Sequence, residues 1–377
     1  MADPISKRSA RTIAFATSLG EPVTGGLIYD RTMASALAEA ADLGPVQLFD
    51  PRALLLARQR ALSSVFGRWA YARRLAQPLG WTLPELARMR RCGLLVFDQY
   101  HGDVLLPVQQ ARSSAGRPTI AIVHHVDDVE SDALEVDRRH VLASMDAVRL
   151  ADATVVPSAY TKAAIVRYGV DPQRVHVISP GVPDERRSTT VEHKPFSHRL
   201  VTVGGIVARK GLDLLPEVLA RLGPPWTIDV VGGDPESPYG RRLQESALGL
   251  GVHERLRFLG RVPSDRMLRT LVSADIYLTT SRNEGFGMAI AEAMQLGLPV
   301  VASDAGAIPE LVLHGVTGLL CDRDRPDAFV AALQQLAASP PLREQLRQAA
   351  RQRIAEQCSW DASRQSFLAL ARRLRDA

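Results

Sequence analysis

Residues 281–304, SRNEGFGMAIAEAMQLGLPVVASD, decide the reading of this chain. An apolar run at 276–278 leads into a polar loop at 279–283. Glu284, Gly285, Phe286 and Gly287 follow, and then Met288, Ala291, Ala293, Met294 and Leu296 recur at helical spacing. Gly297 and Pro299 stop that helix, and Val300 and Val301 begin another buried strand. The unit is therefore strand, glycine loop, helix, strand. Its loop lies at a strand's carboxyl end and a helix's amino end. Backbone N–H groups lack intrahelical partners there and the helix dipole is positive, so an anion is favoured. Two carboxylates frame the loop, Glu284 within it and Glu292 inside the helix. Glu292 taken alone also reads as a solvated helix position. Its neighbours Ala291, Ala293 and Met294, beside a loop built for close backbone approach, favour a ligand-facing carboxylate instead.

Outward from this unit the chain alternates strands and helices almost throughout. The pattern predicts strands at 12–17, 46–49, 94–97, 119–123, 153–156 and 175–178, with helices at 28–41, 133–150 and 159–168 among them. A stretch rich in proline, charge and small polar residues breaks the pattern, and the alternation then restarts. Strands are predicted near 199–203, 227–231, 256–259, 275–279, 299–302 and 319–321. Such alternation implies mainly parallel sheets with helices on both faces. The reading is α/β, with two doubly wound Rossmann-like domains: 1–183, a linker at 184–196, and 197–358. An amphipathic helix at 359–377 is expected to pack back on the first domain.

The 377 residues suffice for two domains with substantial cores, and 46% apolar content requires a folded chain. Lys and Arg exceed Asp and Glu by 46 to 41, which suits an anionic substrate or surface but is too mild and dispersed for nucleic acid. Cys92, Cys321 and Cys358 are scattered and odd in number, which argues against a disulfide framework. No apolar run approaches a membrane span, and the run after the basic start is too short for a signal peptide. A cytoplasmic protein is the default. The basic helical stretch 51–91, with Arg58, Arg60, Arg68, Arg73, Arg74, Arg88, Arg90 and Arg91 among Leu, Trp and Tyr, reads as a solvated face or as a peripheral contact with anionic lipid.

Ligands of doubly wound sheets bind at the carboxyl ends of the strands. Several loops fall there. Gly204-Gly205-Ile206-Val207-Ala208-Arg209-Lys210-Gly211 follows a strand and opens a helix at 212–222; its glycines allow close backbone approach, and Arg209 and Lys210 suit a diphosphate. A cationic pair at a helix start opposes the dipole, which points to function. The loop lacks the GxGxxG of a dinucleotide site, so a nicotinamide dehydrogenase is excluded to that extent. Gly232-Gly233-Asp234-Pro235 and the backbone of 260–262 are two more strand-end segments, and the second is placed to pair with a base edge. Neither Asp127 with Asp128 nor the group His101, His124 and His125 has a full metal-ligand spacing, so no metal is expected.

The order VGGIVARKG, VVGGDPE, LRFLGRVP, ADIYLTTSRNEGFGMAIAEAMQLGLPVVASDAGAIPELV and HGVTGLL resembles the nucleotide-sugar half of the retaining glycosyltransferases of family 4, and ADATVVPSAYTKAAIVRYGVDPQRVHVISPGV resembles the end of their first domain. The resemblance covers nearly the whole chain, least securely 50–91. It implies the GT-B fold, two such domains facing a central cleft, and an E-x7-E pair at Glu284 and Glu292. It implies that Arg209 and Lys210 hold the donor diphosphate. The Glu284 loop, with the N–H groups of Gly285, Phe286, Gly287 and Met288, would face sugar and phosphate, and Glu292 the ribose hydroxyls. Gly25, Gly26 and Gly205 would approach the donor, with Gly260 and Val262 at its base. His124 would point at sugar and acceptor, although His125 beside it competes for that place, since adjacent strand side chains point to opposite faces.

The implied activity is sugar transfer from a nucleotide-diphosphate sugar to an acceptor hydroxyl with retention and no metal or other cofactor. The acceptor is left open among small molecules, glycans and lipid-linked sugars. The alternatives are a nucleotide-sugar 2-epimerase, for which no acid–base carboxylate set is visible, and a non-catalytic nucleotide-sugar binding subunit, against which the intact Arg209, Lys210, Glu284 and Glu292 argue.

Overall fold

The computed structural model describes residues 12–17, 24–50, 83–126, 135–184, 186 and 195–376. These fall into two compact units: one formed by the chain up to Ile178 together with Asp361–Ala377, the other by Ser179–Trp360. Each holds one parallel six-stranded sheet among the described residues.

In the first unit the strands are β1 (Ile13–Ala16), β2 (Val46–Phe49), β3 (Leu94–Asp98), β4 (Thr119–Ile122), β5 (Ala153–Val156) and β6 (Val175–Val177), in the order β2-β1-β3-β4-β5-β6. β1, β3, β4 and β5 are buried along their whole length, which is why they read as unbroken apolar runs, not alternating ones. Edge strand β2 is buried only at Phe49. The buried guanidinium of Arg112 donates to the carbonyls of Met89, Cys92 and Pro118 at 2.6, 3.0 and 2.7 Å. It thereby satisfies the end of helix Leu83–Arg91 and the entry to β4, which would otherwise leave buried carbonyls unpaired. The terminal helix Trp360–Asp376 buries Phe367, Leu370 and Ala371, and its Arg372 meets Asp42 through two hydrogen bonds of 2.7 and 3.1 Å. That pair is exposed, so apolar burial dominates the helix's docking within this unit.

In the second unit the strands are β7 (Arg199–Val203), β8 (Thr227–Val231), β9 (Leu256–Gly260), β10 (Ile276–Thr279), β11 (Val300–Ser303) and β12 (Leu319–Cys321), ordered β12-β11-β10-β7-β8-β9. The order reverses between β10 and β7, the switch point where loops from neighbouring strands splay apart and leave room for a ligand. Asp275 fixes the start of β7 by accepting from the backbone of Ser197 and Arg199 at 3.0 and 2.8 Å. Cys92, Cys321 and Cys358 are all buried free thiols.

Two boundaries differ from the periodicity. The helix expected at 28–41 spans Gly25–Glu39, because the Thr24 hydroxyl caps it by accepting from Leu27 N at 3.2 Å. The helix expected at 212–222 is a 3-10 turn, Leu212–Leu214, followed by Leu215–Leu222. Most of the basic stretch (51–82), the Asp127–Asp128 pair and most of the segment read as a linker lie outside the described residues. Among the described residues no helix is long and apolar enough to cross a membrane.

Candidate active site

Arg209 and Lys210 do not open a helix. They close a separate 3-10 turn, Ala208–Lys210, and Gly211 at φ +60° divides that turn from the next. The expectation of an unfavourable cationic pair at a helix start is thereby corrected, since the pair ends a short turn and no helix begins with it. The turn is held against the loop after β10. Arg282 N donates to Arg209 O at 2.8 Å, and the Thr280 hydroxyl donates to Lys210 O at 3.2 Å. The Arg282 side chain adds two bonds to Asp213 of 2.8 and 2.6 Å and one to Asp324 of 2.8 Å.

This clamp brings the two cations onto Glu284, some seventy positions along the chain. Lys210 Nζ lies 2.5 Å from Glu284 Oε1, and Arg209 lies 3.5 Å from Oε2 while also donating to Asn283 O at 2.8 Å. The Ser281 hydroxyl donates to Glu284 Oε1 at 2.7 Å. Burial alone would raise the Glu284 pKa. The charges of Lys210 and Arg209 and the bonds from Lys210 and Ser281 outweigh it and hold the carboxyl below its ordinary value. Glu284 is thus an ionised carboxylate between two cations, and the cluster keeps one unit of positive charge. Ala307 N donates to Glu284 O at 2.8 Å, which fixes the loop from the other side.

Gly285, Phe286 and Gly287 are buried, Phe286 within the core of the unit, and Met288 opens the helix Met288–Leu296. Gly287 at φ +99° provides no side-chain cap for that helix. Glu292 points back to another part of the unit: its Oε2 lies 3.1 Å from Nε of Arg186. Gly205 is exposed. Gly260, at φ +62°, accepts from Gly232 N at 2.7 Å, and Val262 packs half-buried against the core.

A second constellation lies in the first unit. His124, after β4, sits with its Nε2 at 3.0 Å from Asp30 Oδ1. The Thr17 hydroxyl donates to Asp30 Oδ2 at 2.7 Å, and ligating atoms of Asp30, Asp98 and His124 lie within 4.8 Å of one another. His125, beside His124, turns to the Tyr100 hydroxyl at 2.8 Å. His101 is buried elsewhere than with His124, so the three histidines form no group among the described residues. Gly26 packs on the His124 ring so tightly that a Cβ would stand 2.9 Å from its Cδ2. Burial alone would depress His124; the Asp30 charge and hydrogen bond, with the Asp98 charge, push it up to about 9. Burial first, then the Asp30 charge, raise Asp98 to about 7.

Both folded values lie above the ordinary ones of 6.5 and 3.8, so both contributions to stability are complete at low pH and are lost as pH rises. For Asp98 the window runs from 3.8 to about 7, and for His124 from 6.5 to about 9. Asp30→Asn is expected to flatten the fall of melting temperature over the His124 window; equal slopes in variant and wild type would refute the pairing.

Sequence reading missed Asp30, Asp98 and Arg186. Asp30 left a signal, being a charge on the buried face of Leu27, Ala34 and Leu37, and Asp98 left one at the end of an apolar strand. Arg186 left none within its charged stretch.

Residues 32–186 match the model of Glycosyltransferase Family 4, and residues 185–353 that of Glycosyl transferases group 1. The D-inositol 3-phosphate glycosyltransferase of Geodermatophilus obscurus is 32% identical over 285 residues, covering 69% of this chain and 62% of that protein. Its counterpart in Jonesia denitrificans is 32% identical over 229 residues, covering 56% and 54%. The chain thus spans between half and two thirds of the length of these relatives. Sucrose-phosphate synthase from Thermosynechococcus elongatus superposes with TM-score 0.74 at 21% identity, covering 96% of this chain and 98% of that one. Anabaena HepE, solved with UDP and glucose, superposes with TM-score 0.73 at 19% identity, covering 95% and 98%. The fold is that of the GT-B glycosyltransferases. With family matches running from residue 32 to residue 353, the chain belongs to the family 4 glycosyltransferases.

Proposed function

We propose that this protein transfers a sugar from a nucleotide-diphosphate sugar to an acceptor hydroxyl, with retention of anomeric configuration and without a metal. The carrying observation is the Arg209–Lys210–Glu284 cluster at the switch point of the second sheet. Breaking a sugar–phosphate bond puts charge on the departing diphosphate and oxocarbenium character on the sugar. Arg209 and Lys210 are fixed cations for the first, so the role a metal would fill is already taken by side chains. Glu284 holds both cations in place and lies by the developing positive charge of the sugar. In this reading the bond from C1 to the phosphate oxygen breaks as the acceptor oxygen bonds C1 on the same face, and the leaving phosphate takes the acceptor proton. Glu292 accepts from the ribose hydroxyls, and the backbone of 260–262 meets the base. The UDP in HepE supports a nucleoside diphosphate donor.

Donor-dependent release of nucleoside diphosphate, unchanged by EDTA and giving a product of unaltered anomeric configuration, is the expected result. Isolation of a covalent sugar adduct on Glu284 would overturn the single-step course, and EDTA-sensitive turnover the metal independence. Glu292→Ala is expected to raise the donor KM roughly tenfold to hundredfold, the worth of a charge-assisted hydrogen bond, with little change in kcat. An unchanged KM would remove Glu292 from the donor site.

A further inference from the structure

We infer that Arg282, held by Asp213 and Asp324, is a positioning residue for diphosphate binding, and that it acts through Arg209 and Lys210. The inference rests on the donor reading of that cation pair. The turn that carries the pair is too short to hold its own shape. Lys210 N donates to Val207 O and Gly211 N to Ala208 O, both at 2.9 Å. A lone 3-10 turn fixes several dihedral angles for each such bond, so its shape must be set from outside. Arg282 sets it on both flanks. Its backbone N donates to Arg209 O at 2.8 Å. Its side chain bonds the residues on either side of the pair: Nη1 donates to Ala208 O at 3.1 Å and to Asp213 Oδ1 at 2.8 Å, and Nη2 donates to Asp213 Oδ2 at 2.6 Å. Nε donates to Asp324 Oδ1 at 2.8 Å. Asp213 also accepts from the Tyr239 hydroxyl at 2.6 Å. One guanidinium thus ties together the segments that follow β7, β10 and β12, and Asp213 adds the helix Pro238–Gly249, which follows β8.

Magnitudes separate positioning from stability here. Arg282 is 33% exposed, Asp213 40% and Asp324 47%. Ion pairs this open to water are screened and contribute little to folding. A two-bond fork between guanidinium and carboxylate still fixes direction, because both bonds are straight in only one relative orientation. Asp324 sits at φ +60°, a backbone conformation uncommon outside glycine, and its carboxylate meets Nε from there. Four side-chain bonds around one arginine that add little stability serve to place what lies between their anchors, and that is Arg209 and Lys210. Charge alone gives a rival account with the opposite sign. Burial would raise the Asp213 carboxyl, but the bonds from Arg282 and Tyr239 outweigh it and keep Asp213 ionised. If only net charge mattered, removing that negative charge would tighten the binding of an anion. If position matters, removing it loosens Arg282 and weakens the anion.

The test is calorimetric binding of inorganic diphosphate, at fixed ionic strength in metal-free buffer, to the full chain as wild type, Arg282→Lys, Asp213→Asn, Lys210→Ala and the double variant Asp213→Asn/Lys210→Ala, with a melting curve for each. Arg282→Lys keeps the charge and loses the fork; Asp213→Asn adds one unit of positive charge and loses the fork. Both are expected to weaken diphosphate about tenfold, the low end of what a charge-assisted hydrogen bond contributes. Both should melt within about 4 °C of wild type, as the loss of an exposed pair implies for a unit of this size. Added to Lys210→Ala, the Asp213→Asn change should weaken diphosphate by less than about threefold, because one of the two groups it positions is gone. Unchanged or tighter binding in Asp213→Asn overturns the inference, as does a tenfold loss that persists without Lys210. A fall in melting temperature beyond that range makes Arg282 a structural residue only, and the inference fails. No diphosphate bound by wild type, or Lys210→Ala binding it as wild type does, instead overturns the donor reading beneath it.

Discussion

Lys210→Ala is expected to lower turnover about 10²- to 10³-fold, the effect of removing one preorganised charge-stabilising donor from a reacting centre. Lys210 Nζ is 2.5 Å from Glu284 and its stem packs on Gly204, where a Cβ would lie 3.1 Å from Cε. The ammonium is thus pre-placed and does not need ordering when substrate arrives. On the proposed reaction its loss acts twice: the departing diphosphate loses a cation, and Glu284 loses the strongest of the charges that depress its pKa, so the carboxyl titrates higher. The pH profile of the variant should accordingly lose its acid side at a higher pH than wild type. Initial rates of nucleoside diphosphate release measure both effects. A loss smaller than tenfold with an unshifted profile would remove Lys210 from the reacting centre.

Gly211→Ala is expected to destabilise the second unit by about 3 kcal/mol or more, combining the cost of a left-handed non-glycine residue with that of overpacking. At φ +60° a Cβ on this residue would stand 2.1 Å from the Thr280 carbonyl oxygen. That oxygen is backbone, so no side chain can swing aside. Relief requires the 3-10 turn bearing Arg209 and Lys210 to part from the loop bearing Ser281 and Glu284. Activity should therefore fall with stability, and below the denaturation midpoint the variant should still show weakened diphosphate binding. A midpoint within about 0.5 kcal/mol of wild type, the range of a neutral surface change, would show that the turn gives way freely.

The family motifs and both parallel sheets were legible from residues alone. Buried parallel strands must be apolar on both faces, and glycine is favoured where a loop turns at positive φ, so both features leave a mark in one dimension. Glu284, Arg209 and Lys210 were singled out on that basis. Their ion pairing was not visible, because a contact over some seventy positions depends on how two loops meet, and spacing carries no record of it. The same limit hid Asp30 beneath His124, although the carboxylate's place on a buried helix face was there to be read. Composition also misled for Arg186, since a charged, proline-rich stretch reads as solvated whatever the fate of one residue in it.

Sequence by itself determined the strand–helix alternation, the two-domain plan and the family. The first two follow from local periodicity and from residue types that only certain backbone conformations tolerate, and the family follows from the resemblance of its motifs in their order. Tertiary structure alone decided which charges meet: Glu284 with Lys210, His124 with Asp30, and Glu292 with Arg186. The physical reason is range. Backbone preferences act within a few residues, whereas a buried charge takes its partner from whatever the fold brings to within about 4 Å, where a low local dielectric makes the partner decisive.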